Sequence, residues 1–314
     1  MKHEIRYGKA QVSAYRTYAA PLEGVAPIPE SPFTGRANTL FGAEIEIVVR
    51  GEVFWDAYER GDNRLVVATD TMKNFIHATA LACRSATLEG WLHEIGAAFL
   101  GRYEQMERIT MLGRELPFTA AVVPAVPEDG EPAFALSDRL FAPDRNDHAV
   151  ARLDLERDPS GPARVRITDH ESGRAGLQLI KITGSAFADF ARDEHTTLPE
   201  RRDRPLHVWT DVGWRYGDPA DALGGDPGRY VAPEQVADLA AAVFHEFVSL
   251  SIQHLVHEIG RRMLARWPQL AEVSFDAQNR LWDTGAERAA DDPVKVYTDP
   301  RPPYGRIGLV LRRE

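Results

Sequence analysis

The hydrophobic pattern of the chain changes period in the same order twice, and this limits the folds open to it more than any single motif does. Apolar residues alternate through Val12, Ala14 and Tyr15 and again over residues 43–50, as half-buried strands require. Residues 65–68 read as a short buried strand, after which Met72, Phe75, Ile76, Ala80 and Leu81 follow helical spacing. Thr87 stands at the N-cap position of a second helix whose apolar face runs through Trp91, Leu92, Ile95 and Phe99 to Tyr103. Extended segments around 108–111 and 118–123 close the first round. The second round offers strands at 150–155, 165–167 and 177–182, a short helical piece at 186–192 and a strand around 206–214. The longest helical periodicity follows over 233–267, with Ser249 and Ser251 marking a break inside it, and extended pieces at 273–275, 294–297 and 307–311 end the chain.

Two rounds of β-β-α-α-β-β imply an α+β protein in which helices cover one face of antiparallel sheets. The stretch from Pro21 to Asn38 holds Pro21, Pro27, Pro29 and Pro32 and reads as a loop. The stretch from Pro124 to Asp147 is rich in Pro, Asp and Glu and reads as the boundary between halves, which gives expected domains of 1–146 and 147–314. A length of 314 residues suits two domains or one large one.

Composition narrows the function classes. There are 37 basic and 47 acidic residues, a net charge of −10, which argues against nucleic acid or an anionic membrane surface as the main partner. Cys83 is the only cysteine, so no intramolecular disulfide can form, and a reducing, cytoplasmic setting is expected. It reads as a core residue rather than a nucleophile. No stretch approaches the roughly 18 apolar residues of a membrane-crossing helix, and the first residues lack the apolar run of a signal peptide.

The common phosphate-loop, dinucleotide, serine-hydrolase and zinc-protease motifs are missing. The nearest approach to a metal site is His254-x-x-His257-Glu258 with His245 upstream; the same residues would also suit the polar face of a surface helix. Thr69-Asp70-Thr71-Met72-Lys73-Asn74 lies at a junction where a helix begins and taken alone reads as a helix start. Tyr7-Gly8-Lys9 alone reads as a strand start beside a solvated lysine, and Arg204 as one arginine in a charged run.

Together these segments resemble the urate oxidase (uricase) family. The resemblance is carried by Tyr7-Gly8-Lys9, by residues 67–74, by Gly184-Ser185-Ala186-Phe187 continuing through 193–200 to Asp203-Arg204, by Ser251-Ile252-Gln253 and by Asn279. It implies the tunnelling fold (T-fold), with two tandem units per chain and four chains forming a barrel whose active sites lie at subunit interfaces. It implies oxidation of urate by dioxygen and water to 5-hydroxyisourate and hydrogen peroxide, with neither metal nor organic cofactor. By the same resemblance Phe187 stacks on the purine, while Arg204, Gln253 and the Ile252 N–H match its edges. Lys9 is the base acting through the Thr69 hydroxyl, Thr69 and Asp70 reach the substrate from a neighbouring subunit, and Asn279 holds dioxygen. The family usually has His two residues after this Asn, where the present chain has Leu281, so the Lys-Thr-His relay lacks its third member. A purine-binding protein that has lost its chemistry is the alternative. The C-terminal Leu311-Arg312-Arg313-Glu314 is not the Ser-Lys-Leu address of the peroxisomal relatives, a further reason to expect a cytoplasmic protein.

Overall fold

The computed structural model describes residues 4–125, 133–144, 147–158, 160, 165–280, 282–289 and 292–314. It is a mixed α+β structure whose chain falls into two compact units. The first takes its described residues from Met1–Ala26, Thr34–Ser172 and Tyr216–Tyr230, and the second from Pro27–Phe33, Gly173–Arg215 and Val231–Glu314.

In the first unit, β1 (Arg6–Thr17) and β2 (Leu40–Arg50) form an antiparallel pair. β3 (Arg108–Leu116) pairs with the other edge of β2, and β6 (His148–Arg157) pairs antiparallel with β3. Between β3 and β6 the chain makes a separate hairpin of β4 (Phe118–Ala125) and β5 (Ala133–Pro143). The alternation read in β2 is realised: Ala43, Ile45, Ile47 and Val49 are fully buried while Glu44 and Glu46 take the opposite face. After the five-residue α1 (Trp55–Glu59) come α2 (Thr69–Ala82) and α3 (Leu88–Arg102). Thr87 caps α3 as expected, its hydroxyl accepting the Gly90 N–H at 3.1 Å. Trp91, Leu92, Ile95 and Phe99 are fully buried in one core with Ile109, Met111, Leu153 and Leu155 of β3 and β6. Each such side chain contributes roughly 1.5–3 kcal/mol of transfer free energy.

The second unit is built in the same order. β7 (Val165–Phe187), which enters this unit at Gly173, neighbours β8 (Arg201–Tyr216), and β9 (Leu270–Arg280) lies between β8 and β12 (Gly305–Arg312). β9 and β12 pair antiparallel from Asn279↔Gly305 to Glu272↔Arg312. A small hairpin of β10 (Thr284–Glu287) and β11 (Lys295–Tyr297) sits between them in sequence, as β4 and β5 do between β3 and β6. The helices α4 (Pro233–Glu246) and α5 (Ile252–Arg266) bury Val236, Leu239, Val243, Leu255, Ile259 and Met263, and α5 packs on β9 and β12. The break read near Ser249 and Ser251 is the link between these helices. Among the described residues no helix is long and apolar enough to cross a membrane.

Four local expectations are corrected. Residues 65–68 form no strand: Leu65 is exposed and only Val67 is buried, and the segment is a turn leading into α2. Residues 186–192 form no helix, because β7 runs on to Phe187 and Asp189 then adopts a left-handed backbone (φ 58°) that a right-handed helix cannot include. The Pro-rich stretch 124–147 contains β5. Finally β6, read as the opening strand of the second half, pairs with β3 and closes the first sheet order. The change from one compact unit to the other comes in β7, after Ser172, rather than near 147.

Candidate functional site

The site residues expected from sequence fall into two sets, one in each unit. In the first unit, β1 carries Tyr7-Gly8-Lys9 along the edge of β2. A side chain at position 8 would place its Cβ 1.9 Å from the Ile47 carbonyl oxygen, so only glycine lets the two backbones approach this closely. The register then slips between Lys9 and Val12, with Gln11 at φ 56°, and this bulge turns the strand just beyond the lysine. Lys9 is half-buried.

Thr69 and Asp70 are the first two residues of α2 and both are exposed. The N-cap residue is Ala68, which has no side chain to cap the helix, so the carboxylate of Asp70 is the anionic group at its positive end. Lys73 donates to Asp70 at 2.6 Å and Asn74 at 3.1 Å. The Lys73 hydrogen bond, with smaller help from the Lys9 charge, holds the Asp70 carboxyl below the usual range. Lys9 and Asp70 therefore lie within electrostatic reach of one another. Tyr7 joins the two segments: its hydroxyl accepts the Val67 N–H at 3.1 Å, and its ring meets Phe54 edge-on at 5.2 Å. No signal in the sequence marked Tyr7 for this task.

In the second unit, Phe187 ends β7 and Arg204 lies near the start of β8. The guanidinium carbon of Arg204 sits 5.7 Å from the Phe187 ring centre. Arg204 Nε is buried and meets no hydrogen-bond partner among the described residues, and burial lowers the pKa of the group. Phe190 stacks on Phe187 at 4.9 Å and 14°, an aromatic pair the sequence reading missed. Ile252 and Gln253 are the first two residues of α5, so the Ile252 N–H belongs to the first turn, where no intrahelical acceptor is available. Ile252 is buried and Gln253 is exposed. Ser251 caps the helix by accepting the His254 N–H at 3.0 Å.

Asn279 lies near the end of β9, and its Oδ1 is a second buried polar atom with no partner among the described residues. Its neighbour Arg280 is sandwiched between aromatic rings, 3.3 Å from the Trp209 centre and 3.9 Å from that of Tyr304. Arg280 also donates to Tyr304 Oη at 3.0 Å and Gln278 Oε1 at 2.7 Å, which pins the strand that presents Asn279. Leu281 lies outside the described residues.

The two histidines of the metal reading, His254 and His257, both have protein partners. His257 Nδ1 pairs with Glu258 at 3.1 Å, Glu258 in turn takes Arg261 at 2.7 Å, and His254 Nδ1 accepts the Leu250 N–H at 3.4 Å. Among the described residues no three His, Cys, Asp or Glu side chains are grouped so as to hold a metal ion. Cys83 is buried and its thiol is pushed up to about 11 by burial, which suits a core residue and not a nucleophile.

Comparison with known proteins adds independent findings. The sequence profile described as Uricase matches residues 170–308. The "Uric acid degradation bifunctional protein" of Bacillus sp. (strain TB-90) is 47% identical over 97% of this chain and 60% of its own length. That of Bacillus subtilis, PucL, is 46% identical over 100% and 62%. The chain thus spans about three-fifths of these two bifunctional relatives. A protein named uricase from Haloferax volcanii is 46% identical over 96% of both chains. Among solved structures, a urate oxidase from Bacillus sp. TB-90 superposes with a TM-score of 0.92 at 45% identity, covering 98% of this chain and 100% of that one. A uricase from Bacillus fastidious gives 0.91 at 41% identity, covering 99% and 94%.

Proposed function

The chain belongs to the uricase family, and we propose that it oxidises urate, taking two electrons from the purine into dioxygen. Urate, dioxygen and water become 5-hydroxyisourate and hydrogen peroxide: the purine is the reductant, water supplies the hydroxyl, and no metal or organic cofactor is required by this balance. The observation that carries the reading is the buried, unpartnered Arg204 Nε beside the Phe187 ring. A guanidinium placed this way offers two parallel donors in a fixed plane to the carbonyl and ring-nitrogen edge of a flat anion, while the ring supports its face. Gln253 supplies a donor and an acceptor for the opposite edge, and the Ile252 N–H adds a donor.

Lys9 is the base of this reading. In this role its side chain takes a proton from urate through the Thr69 hydroxyl, leaving an electron-rich dianion able to reduce dioxygen. Asp70, held ionised beside Lys73, orders the first turn of α2 around Thr69. The exposure of Thr69, Asp70 and Gln253 suits sites completed at interfaces between four copies of the chain. In that assembly the amide N–H2 of Asn279 donates to dioxygen, and its Oδ1, without a partner among the described residues, accepts from the water that follows. The repeated order of two strands, two helices and two strands supports two tandem T-fold units. The first extends through β6, beyond the boundary at 146 read from sequence. A cytoplasmic setting completes the reading and rests on the lone Cys83.

The deciding experiment follows urate absorbance under a supply of dioxygen, with peroxide measured in parallel and a strong chelator present. Urate loss with matching peroxide, unchanged by the chelator, is the expected result. Saturable urate binding without turnover would instead identify a purine-binding protein that has lost its chemistry along with the histidine replaced by Leu281.

A further inference from the structure

The aspartate beside Arg204 has no part in the chemistry above, yet both of its oxygens are tied to the turn that leads to Phe187. Asp203 Oδ2 accepts the Thr183 hydroxyl and Oδ1 the Gly184 N–H, both at 2.7 Å. The turn it holds is one that only a specific backbone can make: Gly184 lies at φ 78°, in the left-handed region.

From that turn, hydrogen bonds lead to the other members of the clamp. Ser185 bridges to Ser249: the Ala186 N–H donates to the Ser249 carbonyl at 2.7 Å, and the two serine hydroxyls meet at 3.0 Å, with both residues fully buried. Two residues after Ser249, Ser251 caps the helix that opens with Ile252 and Gln253. Lys181, two residues before Thr183, donates to the Phe244 and Phe247 carbonyls at 2.8 Å and so closes the end of the preceding helix. Phe187 follows Ser185 by two residues. The stacking ring, the guanidinium and the amide therefore all spring from one hydrogen-bonded frame, with Asp203 at the point where the strand of Arg204 meets the turn that leads to Phe187.

We infer that Asp203 is a positioning residue, whose carboxylate sets the spacing between Arg204 and the Phe187 and Gln253 arms of the clamp. The inference rests on the reading of function above. The side chain itself does not touch the purine. Its Thr183 hydrogen bond, followed by that from the Gly184 N–H, holds the carboxyl below the ordinary range, so both oxygens serve as acceptors. Asparagine at this position offers one acceptor oxygen in place of two and sets an amide N–H against backbone donors, so the turn loses part of its anchorage.

The test is Asp203→Asn, with Asp203→Glu as the charge-retaining variant, measured for urate kinetics and for equilibrium binding of xanthine, which shares the purine edge. The expected result is a rise of about tenfold in KM for urate and in Kd for xanthine, with kcat at saturating urate within about twofold of the parent. Asp203→Glu is expected to recover part of the affinity. A general structural role would lower kcat and melting temperature together without separating KM from kcat. Unchanged xanthine affinity in Asp203→Asn, while the parent oxidises urate normally, would overturn the inference and leave the proposed function intact. A parent that binds xanthine but does not turn over urate would remove the proposed activity, and the affinities would still decide the role of Asp203. A parent that binds neither would overturn both.

Discussion

The two units use the same structural device, the uncrowded first turn of a helix, in opposite ways. In the first unit, α2 begins at an alanine that cannot cap it, and Thr69 and Asp70 stand in solvent beside a half-buried Lys9. In the second, α5 begins at a capping serine that is tied by Ser249 and Ser185 to the turn held by Asp203. In the proposed reading the first start serves proton transfer and the second serves recognition. On that reading, the difference teaches that two units with the same element order can divide chemistry and binding by the bracing around each helix start, with little change to the helices themselves.

The sharpest way to break that division is Lys9→Met. If the first unit supplies the chemistry, kcat is expected to fall by roughly 10²–10⁴ while xanthine binding stays within about twofold. Equal losses in both would place Lys9 in recognition and end the contrast. Next in size is Arg204→Ala, expected to lower kcat/KM about 100-fold through KM and to weaken xanthine binding in step, since a charge-assisted pair of hydrogen bonds is lost. A fall confined to kcat would move Arg204 to the chemical side.

A third prediction sharpens the comparison through stability. Glu89, in the first turn of α3, is fully buried and accepts hydrogen bonds from Ser172 at 2.5 Å and Tyr230 at 3.2 Å. Burial pushes its carboxyl up from 4.5 to about 7 despite those donors. The folded state therefore holds this proton more tightly than the unfolded chain does. Its contribution is greatest below about 4.5 and is lost as pH rises to about 7. At full strength this amounts to about 3 kcal/mol. The lowered carboxyls of Asp70, Asp203, Glu258 and Asp276 act the other way: their contributions are present above the ordinary carboxylate range and vanish only in more acid solution. Melting temperature is thus expected to decline between pH 5 and pH 7, and Glu89→Gln to flatten that decline. A curve of the parent's slope in the variant would assign the dependence to another group.

The smallest expected effect is Gln253→Ala, a rise of about tenfold in KM from one unmatched purine edge, with kcat nearly unchanged. A loss as large as that of Arg204→Ala would show that the exposed amide is fixed as firmly as the buried guanidinium.

Much of this architecture was legible in the sequence because it is local. The 3.6-residue spacing of Trp91, Leu92, Ile95 and Phe99 and the alternation of Ala43 to Val49 each follow from one face being buried. What was missed depends on distant partners. Residues 65–68 look like a strand in isolation, but no strand among the described residues pairs with them; Tyr7, Asn63 and Gln105 hold that backbone instead. The stretch 186–192 looks helical, but the stacking of Phe190 on Phe187 and the left-handed Asp189 turn the chain back. β6 was assigned to the wrong round because its partner β3 lies about forty residues earlier, and no short-range pattern records such a pairing. The site residues themselves came from the family resemblance. Their isolated motifs read as a strand start, a helix start and a charged run, and the bracing by Tyr7, Asp203 and Arg280 became visible only with the fold.

The unpaired Nε of Arg204 and Oδ1 of Asn279 have a thermodynamic consequence beyond the clamp. A buried donor and a buried acceptor without partners among the described residues are a local conflict between folding and function that the apolar core must offset. In the proposed reading a purine that pairs with Arg204 relieves part of this conflict, so the ligand would behave as a missing piece of the fold: its occupancy would raise the unfolding temperature with the logarithm of its concentration above Kd. Purine supply would then govern how long the protein persists as well as how fast it works.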